Sequence, residues 1–223
     1  MTLITLVALD MAGTTIDDHG LVYEALAESV RETGATVAAS DLQLWMGADK
    51  LTAIGALLRL GGGEPADAPA GFERFREILA ESYRRTPPIA LPGVEDALRT
   101  LRGRGVKIAL TTGFTDGVAY PILDTVGWQV GDLLDAVVTS SEVAAGRPAP
   151  YLIHHAMEKT RVTDVATVLA AGDTVVDLLA ARNAGAVGVG VLTGQLTKNE
   201  LAQHPHDYIL ESVANLPVLP ELS

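Results

Sequence analysis

The run DMAGTTID at residues 10–17 joins a carboxylate to a glycine and two threonines, and each part has a chemical use. Asp10 closes an apolar stretch, LITLVAL at 3–9, and a carboxylate at a strand end is held rigidly enough to act as a nucleophile. Gly13 lets the backbone pass close to a ligand, and the hydroxyls and amides of Thr14 and Thr15 can bond phosphate oxygens. A turn cap is the plainer alternative for Asp10 taken alone. The triplet TTG at 111–113 offers the Thr112 hydroxyl and the Gly113 amide as grips for another phosphate oxygen, although Thr before Gly is also ordinary turn chemistry. In AAGRPAPY at 144–151, Arg147 precedes a proline able to open a helix, where a cation would balance phosphoryl charge. AGDTVVD at 171–177 supplies Asp173 and, one helical turn later on the same face, Asp177. With Asp10 these two acids make an oxygen-rich set of the kind magnesium selects, although such pairs also cap helices.

The elements that must carry these groups are legible as apolar runs. Residues 3–9 read as a strand buried on both faces, and similar runs return at 106–111, 136–139, 167–171 and 187–192, separated by helical periodicity. Strand alternating with helix predicts an α/β fold with a doubly wound parallel sheet, whose ligands gather beyond the carboxyl ends of the strands. The four chemical groups fall there in order, each just past a successive predicted strand. The interval between the first two strands is too long for one crossover helix. Its own periodicity predicts a small inserted α-helical cap at 17–88, with the core in 1–16 and 89–223. Val22, Ala25, Leu26 and Val30 share one helical face; Ser40 or Asp41 caps a second helix; Leu51, Ile54 and Leu58 mark a third; Phe72, Phe75, Leu79 and Tyr83 mark a fourth. GGGEPADAPAG at 61–71 reads as a loop, and Pro87 and Pro88 end the cap.

Composition excludes several alternatives. The chain has no cysteine, which removes thiolate nucleophiles and thiolate metal sites. A net charge of −12 argues against a nucleic-acid partner, whose affinity comes mainly from clustered basic residues. No apolar run reaches membrane-spanning length and the opening lacks the pattern of a signal peptide, so the expectation is a cytoplasmic enzyme without a membrane partner. The glycines of GAVGVGVLTG at 185–194 follow no first strand, so dinucleotide binding is set aside.

The ordered series resembles the motifs of the haloacid dehalogenase superfamily from residue 3 to about 195. The resemblance implies a Rossmannoid core, an aspartyl phosphate on Asp10 and a bound Mg2+. Phosphatases and mutases of that superfamily carry a second aspartate two positions after the nucleophile to protonate a departing alkoxide; here that position is Ala12. Its loss suits a leaving group that takes no proton from the core, as when a C–P bond breaks. The electron-rich carbon then needs a sink, which a lysine imine on an adjacent carbonyl supplies. DMAGTT, MGxxK, TTGFT, AGRPxP and GDTVxD together closely resemble the phosphonoacetaldehyde hydrolases, or phosphonatases. That resemblance implies Lys50 as the Schiff-base former, Asp10 as nucleophile, and Asp10, the Ala12 carbonyl and Asp173 as metal ligands, with Asp177 acting through water. It also implies that Thr112, Gly113 and Arg147 grip a small phosphonate substrate, that Met46 lines the imine, and that a homodimer would form through the cap.

The chain departs from the phosphonatase pattern at three positions. Ala53 replaces a histidine that moves protons around the imine, Phe114 replaces a tyrosine, and Gly20 stands where some members have cysteine. His19, close to the nucleophile, is a candidate substitute. Two alternatives therefore stay open: a phosphatase of the same superfamily acting on a small phosphate monoester, and a non-catalytic phosphoryl-binding regulator on the same fold.

Overall fold

A computed structural model describes residues 3–222. The chain separates into two compact units, one of Asp18–Pro88 and one of the remaining described residues. The core opens with Leu6–Leu9 (β1), buried at every position. This strand was predicted from residue 3, but Leu3 is exposed and the regular ladder starts at Leu6. Ile16–Asp17 (β2) follows after a tight loop.

The helical unit begins at Leu21–Arg31 (α1), which buries Val22, Ala25, Leu26 and Val30 as its periodicity predicts. The Asp18 carboxylate accepts from the Val22 amide at 2.8 Å, satisfying a donor of the first turn. In Ala39–Trp45 (α2) the cap position is Ala38, with no side-chain bond. Ser40 and Asp41 lie inside the first turn instead, where the acidic charge of Asp41 still favours the helix dipole. Lys50–Leu60 (α3) is capped by Asp49, which accepts from the Thr52 amide. Its buried face includes Lys50, Ala53, Ile54, Leu57 and Leu58; Leu51 keeps the three–four spacing to Ile54 and Leu58 but lies at the edge of that face and is exposed. The stretch read as a loop at 61–71 is partly helical. Pro65–Asp67 forms a 3-10 turn and Ala68–Arg85 (α4) starts directly after it, because a proline in the first turn lacks an N–H that would have no helical partner there. Phe75 and Leu79 are buried, and the Phe72 and Phe75 rings stack at 6.2 Å.

The chain re-enters the core through Ile89–Ala90 (β3), antiparallel to β2 with Asp17 opposite Ile89. Asp17 thus belongs to the core, one residue beyond the boundary read from the sequence. Then come Val94–Gly103 (α5), Lys107–Thr111 (β4), Asp116–Val126 (α6), Ala136–Val138 (β5), Tyr151–Thr160 (α7), Val168–Gly172 (β6), Val175–Ala184 (α8), Val187–Val191 (β7), Lys198–Leu201 (α9) and Tyr208–Leu210 (β8). The sheet order is β5-β4-β1-β6-β7-β8, with every ladder parallel. The edge strand β8 was not predicted; it is three half-buried residues flanked by polar ones. One face of the sheet, including Leu6, Ala8, Ala109 and Ala170, packs on Leu152, Ile153 and Ala156 of α7 and Ala180 and Ala181 of α8. The small residues in the middle of that face let both helices approach closely. Strand order reverses across β1, which lies between β4 and β6, and this switch point puts the ends of β1, β4 and β6 beside one another. Among the described residues no helix is long and apolar enough to cross a membrane.

Candidate active site

Asp10 extends β1, its amide donating to the Ala171 carbonyl at 2.9 Å. The loop beyond it folds back on itself. The Met11 carbonyl accepts from the Thr15 and Ile16 amides, each at 2.9 Å, and Gly13 takes φ 83, a conformation that suits glycine. The Thr15 hydroxyl donates to the Asp10 carbonyl at 2.8 Å, and the Thr14 hydroxyl to Asp173 Oδ1 at 2.8 Å. These threonines were expected to bond phosphate oxygens. Both are fully buried with their hydroxyl protons committed inside the protein, so they shape the loop and orient Asp173.

Arg147 gathers three elements around one guanidinium. It donates from Nη1 to Asp10 Oδ1 at 2.7 Å and pairs through Nε with Asp177 Oδ1 at 2.9 Å. From Nη2 it donates to the Thr111 carbonyl at 2.8 Å and the Thr111 hydroxyl at 3.0 Å. The side chain is 4% exposed. Thr111, which the sequence reading passed over for its neighbour Thr112, therefore helps fix the arginine. Pro148 does not open a helix as expected: the Arg147–Pro148 peptide is cis and α7 starts after Pro150. Asp177 doubles as a helix cap, its Oδ2 accepting from the Thr174 amide at 3.1 Å and from the Thr174 hydroxyl.

Asp10, Asp173 and Asp177 are all buried, and each places one oxygen within 4.8 Å of the others. Burial, with Asp10 and Asp177 close by, holds the Asp173 carboxyl well above the usual carboxylate range. Burial pushes Asp177 up to about 6 against the pull of Arg147, with Asp10 adding to the rise. Three acids on one arginine leave excess negative charge, and an all-oxygen donor set of this kind fits a hard divalent cation.

A carboxyl raised on folding binds more protons in the native state than in the unfolded chain. Its contribution to stability is thus fully present at low pH and is lost as pH rises through the folded value, near 6 for Asp177. Removing the arginine sharpens that trend. Arg147→Ala in metal-free protein is expected to cost about 3–5 kcal/mol near neutral pH, since it strips buried carboxylates of their partner. Urea denaturation should show that deficit narrowing as the pH is lowered and the acids become neutral; a deficit independent of pH would count against this electrostatic role.

Around the cluster, Thr112 extends the β4 ladder by donating its amide to the Val138 carbonyl, and its hydroxyl accepts from the Phe114 amide at 3.1 Å. Gly113 lies in the same turn, and Phe114 is buried. In the helical unit, Lys50 is 3% exposed and donates from Nζ to the Ala48 carbonyl at 3.2 Å. Met46, the residue capping the end of α2, is also buried. Ala53 is fully buried one helical turn on from Lys50. Gly20 is left-handed at φ 76, where cysteine would be strained. The His19 ring faces the Pro87 carbonyl at 3.1 Å, bridging the two ends of its unit. Thr193 and Gly194, just beyond β7, also reach the cluster: the Thr193 hydroxyl donates to the Gly13 carbonyl at 2.6 Å. The sequence reading treated that stretch only as a rejected dinucleotide motif, although its place at a strand end was the available signal.

The parallel sheet thus gathers a strand-end aspartate, a buried arginine and the two aspartates of GDTVVD at one edge, and the fold and this edge define a class of hydrolase. The haloacid dehalogenase-like hydrolase family model matches residues 4–185, and the chain belongs to that family. A phosphonoacetaldehyde hydrolase from Bacillus cereus is 32% identical over 204 residues, which span 84% of this chain and 75% of that protein. A hydrolase from Pseudomonas syringae superposes with a TM-score of 0.83 at 27% identity, covering 95% of each chain. A phosphonoacetaldehyde hydrolase-like protein from Oleispira antarctica has the same fold, with a TM-score of 0.83 at 22% identity over 96% of this chain and 90% of that one.

Proposed function

We propose that this hydrolase cleaves the C–P bond of phosphonoacetaldehyde or a close α-carbonyl phosphonate, giving phosphate and an aldehyde. The observation that carries the reading is Lys50, a buried primary amine at the motif position where the phosphonatase resemblance requires one. Similarity to proteins named phosphonoacetaldehyde hydrolase supports it.

In this reading Lys50 adds as the neutral amine to the substrate aldehyde, and loss of water gives the protonated imine. Asp10 attacks phosphorus from the side opposite carbon. The C–P electron pair moves into the iminium and leaves an enamine, so no acid is needed at position 12, where alanine stands. Water then cleaves the aspartyl phosphate, the enamine is protonated at carbon, and hydrolysis of the resulting iminium releases the aldehyde and Lys50. Thr112 and the Gly113 amide hold phosphonate oxygens, Met46 shields the imine, and Arg147 fixes Asp10 for attack. Asp10, the Ala12 carbonyl and Asp173 would hold Mg2+, with Asp177 supporting the site from beside them. When bound, Mg2+ offsets charge on the equatorial oxygens of the phosphoryl group.

A second reading, a phosphatase for small phosphate monoesters, draws on Ala53, which lacks the proton-moving histidine of the phosphonatase pattern, and on Phe114, which lacks its tyrosine hydroxyl. The two are separated by phosphate release with Mg2+ present. Release from phosphonoacetaldehyde far above that from simple monoesters supports C–P cleavage; the reverse ranking supports the phosphatase.

A further inference from the structure

We propose that Thr193 and Gly194 are positioning residues that hold Asp173 in place for the metal, an inference that rests on the reading of Asp10 and Asp173 as ligands. The segment follows β7, on the far side of β6 from the nucleophile strand. The Thr193 hydroxyl donates to the Gly13 carbonyl at 2.6 Å, tying the loop after β7 to the nucleophile loop. The next residue in that loop, Thr14, donates its hydroxyl to Asp173 Oδ1 at 2.8 Å. Thr193 thus fixes the peptide from which Thr14 reaches the carboxylate.

Gly194 acts on Asp173 by contact. A methyl group added at Gly194 would lie 2.0 Å from Asp173 Oδ2, 2.6 Å from its Cγ and 2.7 Å from its Cβ. Rotating the aspartate about χ1 leaves Cβ where it is, so no rotamer relieves the overlap. A methyl at Gly13 would meet the same carboxylate at 2.7 Å from Oδ2. The Asp173 side chain is therefore held in a slot between two glycine α-carbons, with Thr14 fixing one oxygen. Gly194 does not have positive φ, so space rather than backbone conformation demands glycine. Outer groups that orient a metal ligand typically change metal affinity by about 10–100-fold when altered.

The test titrates Mn2+ into full-length wild type, Thr193→Val, Thr193→Ser and Gly194→Ala, reading free ion by electron paramagnetic resonance and metal-free folding by circular dichroism. Gly194→Ala and Thr193→Val should bind Mn2+ about tenfold or more weakly, while Thr193→Ser, which keeps the hydroxyl, retains wild-type affinity. Should Gly194→Ala fail to fold, the Thr193 pair decides. Wild-type affinity in Thr193→Val overturns the proposal while leaving the metal site standing. Absence of Mn2+ binding in the wild type removes the metal reading, and this one with it.

Discussion

Asp10→Asn is expected to lower the turnover number by roughly 10^4-fold or more with the protein still folded. The amide is close to the carboxylate in shape but is a far weaker nucleophile toward phosphorus. Loss of its charge weakens the hydrogen bond from Arg147 Nη1, a contact of the charge-assisted kind. Against that, Asp10 is one of the charges that raise Asp173 and Asp177, so its removal relieves repulsion among buried acids. The two effects oppose each other, and the metal-free melting temperature should change little. Phosphate release and thermal melting on the same preparations check both halves. Activity within tenfold of wild type would take the nucleophile away from Asp10.

The second large effect is expected at Lys50. Lys50→Ala should reduce C–P cleavage by roughly 10^3-fold or more, and Lys50→Arg should be equally inactive. Arginine keeps the positive charge but forms no imine with an aldehyde, so this pair separates covalent chemistry from electrostatic binding. Alanine is well tolerated at the first position of a helix such as α3. Phosphate release from phosphonoacetaldehyde, measured for wild type and both variants, gives the answer. Recovery of substantial activity in Lys50→Arg would mean that the residue only binds substrate.

The sheet was legible because its central strands are largely buried on both faces and appear as short apolar runs, read at 3–9, 106–111 and 167–171 and found at 6–9, 107–111 and 168–172. Asp10 and Asp173 were legible for a related reason: a charged residue ending such a run stands out. The edge strand β8 carries no such signal, since half-buried residues between polar neighbours resemble a loop. Side-chain direction was also hidden. Thr14 and Thr15 read as phosphate ligands, yet their hydroxyls turn inward, because a buried loop must satisfy its own polar groups first. Arg147 was found, but its partners come from the ends of β1 and β4 and the start of α8, which only the folded sheet brings together. Thr193 and Gly194 have no chemical mark beyond their place after a strand. Gly194 matters for the side chain it leaves room for, and a sequence does not display that.

Borohydride trapping tests the imine most directly. With phosphonoacetaldehyde present, reduction should inactivate the enzyme, and peptide mass mapping should find the reduced adduct on Lys50. Continued phosphate release under the same conditions, with Lys50 unmodified, would contradict the imine route.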